Sequence, residues 1–205
     1  MRKKIFVFLT ICLLTCFSYA AEHSNSLDLV RAARSQIGIT NFYDPAYVRI
    51  KYPNGDVEMA KGVCTDVVIR AYRVAYGYDF QRTLHEDMKL KFSDYPKAWG
   101  ATRTDTNIDH RRVPNIEAFL KRRGGLLPIS LHAEDYKPGD VVTQVIGNKF
   151  PHIAIVSDKM SSDGERPLVI HNIGQGTQEE DSLFQFPIRG HYRFFPYAYN
   201  KISTK

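Results

Sequence analysis

Cys64, His152 and His171 are the residues of this chain whose types and order could carry a covalent reaction. A thiol becomes a useful nucleophile when an imidazole takes its proton, and that imidazole needs a further polar group to fix its orientation. The three residues supply those types in a workable chain order, and the chemistry would be attack on a carbonyl carbon. Each has a plainer reading when taken alone: a lone thiol packs well as a small core residue, and a lone histidine is usually structural.

The redox context sharpens the question of Cys64. The opening segment MRKKIFVFLTICLLTCFSYA has a cationic start, an apolar run from Ile5 to Phe17 and small residues at its end, the pattern of an export signal cleaved after Ala20. The other cysteines, Cys12 and Cys16, fall inside residues 1–20, so the mature chain is expected to keep one thiol in an oxidising space where cysteines usually pair. An unpaired cysteine there is either buried and inert or retained for reactivity. Removing residues 1–20 takes away Arg2, Lys3 and Lys4 and no acidic residue, lowering the formal net charge from +6 to +3. Residues 21–205 are therefore expected to form a single exported domain, periplasmic or secreted, with no stable membrane span after cleavage. So small a charge makes nucleic acid a poor partner.

Several elements must hold these residues. SLDLVRAARSQIG puts Leu27, Val30, Ala33 and Ile37 on one helical face, with Ser26 as cap and Gly38 as stop. Residues 40–61 carry Pro45, Pro53, Asn54 and Gly55 and read as an irregular excursion with a turn. After Gly62, the spacing of Cys64, Val67, Val68, Ala71, Val74 and Ala75 predicts a helix with Cys64 in its first turn, facing inward. A helix N-terminus favours thiolate over thiol, so Cys64 is expected to be a reactive thiolate. A second helix is expected after Pro114, with Ile116, Phe119 and Leu120 on one face and Gly124 as its stop. Strands are expected in KPGDVVTQVI, PHIAIVSDK and PLVIHNIG, the last two bearing His152 and His171.

Taken as a set, GVCTDVVIRAYR, NIDHRRVPN, KPGDVV, HIAIVSD, IHNIG and GHYRFFP resemble the secreted bacterial family known as domain of unknown function 1287, over roughly Val30 to Pro196. The order of a helix-start cysteine, PGDVV and a strand opening on histidine also resembles the NlpC-type cell-wall peptidases of the papain-like cysteine peptidase clan. That pattern usually has Asp directly before the cysteine, where Val63 stands here. The resemblance implies an α+β fold with the cysteine helix packed on an antiparallel sheet. It implies Cys64 as nucleophile, His152 as general base and His171 as the orienting residue, with Asn172 its competitor, since strand alternation lets only one of two neighbours face the site. The substrate would be a peptidoglycan stem peptide or another envelope amide.

Around this centre, Asp66, Asp109, His110, Arg111 and Arg112 are candidates for substrate binding; either arginine could hold a carboxylate through a bidentate contact. Asp66 is equally explained by the helix dipole, and the arginines by a solvated basic loop. Tyr43, Tyr47 and Tyr52 lie upstream of Cys64, where a tyrosine near an oxyanion would be drawn from. Two other classes compete. A metal hydrolase would use His85, Asp87, Asp109 and His110, but there is no tight ligand motif such as H-E-x-x-H, and no cofactor or metal is expected. A binding module would keep the fold without the chemistry.

Overall fold

The computed structural model describes residues 26–196; the expected export segment, residues 1–20, lies outside the described residues. Helix α1 (residues 26–34) is followed by a short parallel pair, β1 (Phe42–Tyr43) and β2 (Lys61–Gly62), which leads directly into α2 (Cys64–Tyr76). Helices α3 (Phe80–Leu90) and α4 (Val113–Arg122) come next. The remainder is a sheet of β3 (Leu126–Leu127), β4 (Val141–Ile146), β5 (Phe150–Met160), β6 (Pro167–Asn172), β7 (Thr177–Glu180) and β8 (Ile188–Tyr192). Its strand order is β3-β8-β4-β5-β6-β7 and its pairings are antiparallel, so the fold is α+β with the cysteine at the start of a helix.

Strand alternation divides the core in two. Val141, Ile153, Ile155 and Ile170 turn to the helices and pack with Leu29, Val67, Val68, Phe119 and Leu120. Val142, Ala154, Val156 and Val169 turn the other way and cluster with Tyr136 and Leu183. The central strands are thus buried on both faces, which is why they read as continuous apolar runs.

The expected helices form with altered edges. α1 stops at residue 34, so Ile37 falls in the following turn and is exposed; the buried positions are Leu29, Val30, Ala32 and Ala33. In α2, Cys64, Val67, Val68 and Ala71 face inward as the spacing requires, but Val74, at the stripe's margin in the last turn, is 71% exposed. Gly77 ends α2 at φ 63, a left-handed conformation that favours glycine, with its N–H on Arg73 O.

Candidate active site

The chain enters α2 through a tightly constrained turn. Val63 is the extended N-cap, and its N–H donates to Asp66 Oδ2 at 2.7 Å. At Gly62 an added Cβ would lie 3.1 Å from Asp66 Cβ and 3.3 Å from Arg70 Nη1, so the backbone can pass only as glycine or with a shift of its neighbours. Asn172 Nδ2, at the end of β6, donates to Gly62 O at 3.1 Å and ties this turn to the sheet.

Cys64 is the first residue of α2 and 4% exposed, and it forms part of the wall of a cleft of about 370 Å³ with Tyr43, Tyr47, Trp99, Arg112 and Pro151. The β5–β6 register pairs begin at Ile155–Ile170, so the start of β5 runs past that ladder. There the backbone N–H of Ile153, with those of Thr65 and Cys64 itself, supports the sulfur. Burial outweighs all three and, with the Asp66 charge adding to it, pushes the Cys64 pKa up to about 12. The expected resting thiolate is therefore replaced by a neutral thiol.

His152 lies one residue back along β5. The register places His152 and His171 on one face of the β5–β6 pair, opposite Ile155 and Ile170, and places Asn172 on the other. His152 Nε2 and His171 Nδ1 are 2.8 Å apart, and His171 Nε2 is 2.9 Å from Glu180 Oε2 on β7. Between His171 and Asn172, it is thus His171 that meets His152, while Asn172 holds Gly62. Cys64 packs with Ile153, Ile155 and Ile170 on the helix side of the sheet, and among the described residues no hydrogen bond joins it to His152 or His171, so the structure brings the two histidines together but not the thiol with them. Burial and the neighbouring His171 lower the His152 pKa to about 3, and burial lowers that of His171 despite Glu180.

These contacts fix a tautomer. With Glu180 as carboxylate, His171 Nε2 must be the donor to it, leaving a lone pair on His171 Nδ1. His152 Nε2–H then donates to His171, and the lone pair on His152 falls on Nδ1, which has no hydrogen-bond partner among the described residues. The chain Glu180–His171–His152 therefore presents one unprotonated nitrogen.

The other candidates divide by location. Asp66 and Arg111 are buried and occupied with each other, Arg111 Nε and Nη2 each lying 2.9 Å from a carboxylate oxygen. Asp109 is buried and accepts the Asp105 N–H, and its backbone carbonyl accepts from Asn115 Nδ2 at 3.0 Å. His110 is buried, its pKa lowered to about 4 by burial and by Arg111. Arg112 reaches the cleft, its guanidinium 4.7 Å over the Trp99 ring. Of the three tyrosines, Tyr43 pairs in register with Gly62, and burial together with the proximity of Cys64 raises its pKa. Tyr47 donates to Asp105 Oδ2 at 3.0 Å, and Tyr52 packs on His85. Asp87 is held by Tyr95 and Arg122, and among the described residues no three His, Cys, Asp or Glu side chains gather where they could hold a metal ion.

The sequence reading missed Glu180. It sits in the polar edge strand TQEE, where no apolar alternation signals a strand; the closely spaced Gly174 and Gly176 before it, marking a hairpin turn, are the one available cue.

A solved structure of NlpC1 from Trichomonas vaginalis aligns with 82% of this chain at 14% identity and a TM-score of 0.42, a loose likeness on which nothing further rests. The chain spans 44% of that protein's length. The uncharacterized protein YijF of Escherichia coli K12 is 51% identical over 174 residues, covering 85% of this chain and 84% of its own. The family model for the domain of unknown function DUF1287 matches residues 30–194, and the chain belongs to that family.

Proposed function

We propose that this protein is an exported cysteine hydrolase, an amidase or endopeptidase cleaving amide bonds in peptidoglycan stem peptides. The observation that carries the reading is Cys64 itself, the first residue of α2 in the wall of the cleft with the Ile153 N–H on its sulfur; the Glu180–His171–His152 chain, whose residues the motif resemblance implies as base and orienting group, lies on the other face of β5 and β6. The resemblance of the motifs to NlpC-type peptidases agrees with it.

The chemistry starts from a neutral pair. In this reading the thiol proton, held on sulfur at rest, passes to His152 Nδ1 as Cys64 Sγ attacks the substrate carbonyl, a transfer that requires the start of β5 to turn His152 from the far face of the sheet toward the cleft. The S–C bond forms, and the C–N bond breaks as His152 returns the proton to the leaving amine. Water then attacks the thioester with His152 taking its proton, the S–C bond breaks, and the thiol is restored with release of the acid. Tyr43, kept protonated by burial and by the nearby Cys64 with its pKa pushed up to about 12, is the donor available for the oxyanion.

The test compares the mature protein with Cys64→Ala on isolated sacculi and on soluble muropeptides, with products read by mass spectrometry. New stem-peptide fragments are expected from the wild type alone and should survive a chelator. Binding without cleavage by either protein would favour a binding module. Loss of cleavage on chelation, with Cys64→Ala still active, would end the thiol reading.

A further inference from the structure

The two arginines at the cleft differ in what remains open to a ligand. Arg111 is committed: beyond Asp66, it donates to Ala46 O at 3.2 Å. Arg112 has only Asp109 Oδ1 at 3.9 Å, too far for a hydrogen bond, and that residue's other oxygen already accepts the Asp105 N–H. Among the described residues the Arg112 guanidinium donates to no acceptor. Its side chain is 22% exposed, and its guanidinium carbon lies 4.7 Å over the Trp99 ring. The ring contact holds the guanidinium while its N–H groups remain without an acceptor, and a planar anion can take two parallel hydrogen bonds from such a group.

The charged side chains that line the cleft are both cationic, although Asp66 behind it neutralises Arg111. No Asp or Glu is among the residues lining the cleft, while Arg111 and Arg112 both are. Val63 and Val113, at the starts of α2 and α4, also line it, so two helix N-termini add positive potential there.

We infer that the cleft is built for a substrate carrying a carboxylate beside the bond presented to Cys64, and that Arg112, held over Trp99, is the residue that holds that carboxylate. This rests on the reading of Cys64 as the attacking thiol and narrows its substrate to acidic peptides.

Two measurements test it independently. The first is the ratio of Cys64 alkylation rates with iodoacetate and iodoacetamide, reagents of similar size and different charge, compared with the same ratio for a free-thiol peptide. The ratio should exceed that of the peptide in the wild type, fall with added salt, and drop about tenfold in Arg112→Gln, the size of one charge-assisted contact. A ratio equal to the peptide's, or unmoved by Arg112→Gln, overturns the inference. The second uses the chain's one tryptophan, Trp99, as a fluorescent reporter in Cys64→Ala. Acetyl-Ala-Glu should change its emission saturably, acetyl-Ala-Gln-amide should not, and Arg112→Gln should abolish the response; equal responses to the two peptides overturn the inference. A thiol that reacts with neither reagent, beside a positive fluorescence result, would remove the nucleophile and leave the anion site standing.

Discussion

Cys64 pits a helix N-terminus against burial, and magnitudes decide between them. The helix end contributes about 0.3–1 kcal/mol, and about 2 in favourable buried sites. The rise from 9.0 to about 12 corresponds to roughly 4 kcal/mol in the opposite direction, of which desolvation is the largest cause. The sulfur therefore keeps its proton at neutral pH, and His152, whose pKa lies near 3, is uncharged as well. Iodoacetamide should accordingly label native Cys64 more slowly than a free-thiol peptide at pH 7. Its rate should keep climbing by about tenfold per pH unit beyond the point, near 8.5, where the peptide levels off. A plateau reached at neutral pH would restore the thiolate. Labelling that waits for unfolding would make Cys64 an inert core residue.

Helix α2 is anchored by charge as well as by its apolar stripe. Asp66 accepts the Val63 N–H and both Arg111 contacts while buried, so replacing it with the isosteric Asn leaves the Arg111 charge buried without its counter-ion. Urea unfolding of Asp66→Asn should show a loss of about 3–5 kcal/mol. Adding Arg111→Met should recover much of that, because both partners are then neutral; a loss below about 1 kcal/mol in the single variant would mean the pair is not what fixes the turn. This coupling was illegible in the chain, since Asp66 and Arg111 are far apart in sequence and an acid in a first helical turn already has a local explanation. What could be read was local: the stripe of α2, the Pro-led start of α4 and the β-branched runs of β4 to β6. Helix α3 carried its own signals unread, an Asp79 cap and Phe80, Leu84 and Met88 one turn apart. The site split the same way. Cys64, His152 and His171 stand on elements with clear periodicity, whereas Glu180 is set by the pairing of β6 with a strand that lacks any.

Protonation couples the whole molecule to pH because several histidines are buried neutral. His110 and His152 have folded pKa values near 4 and 3 against an ordinary 6.5, and His171 is lowered as well. As pH falls below about 6.5 the unfolded chain takes up protons that the folded chain refuses, so stability is complete above that value and is lost on acidification. Glu179 adds to this lower down. Burial opposes its charge, but hydrogen bonds from Arg34, Ser157 and Lys159 prevail and bring it to about 2, so the link it makes between α1 and β7 loses stability as pH drops below about 4.5. His110 and His152 each forfeit about 2 kcal/mol between pH 6.5 and pH 5, which for a chain of this size is about 4–8 °C of Tm, and His171 acts in the same direction. His110 lies outside the proposed chemistry and isolates the effect. His110→Gln will change the absolute Tm through packing, so the slope of Tm between pH 6.5 and 5 is the quantity to compare. That slope should be clearly shallower than in the wild type, with the remainder carried by His152 and His171. An unchanged slope would show that His110 is free to take up its proton in the folded state, and that the acid sensitivity of the fold arises elsewhere.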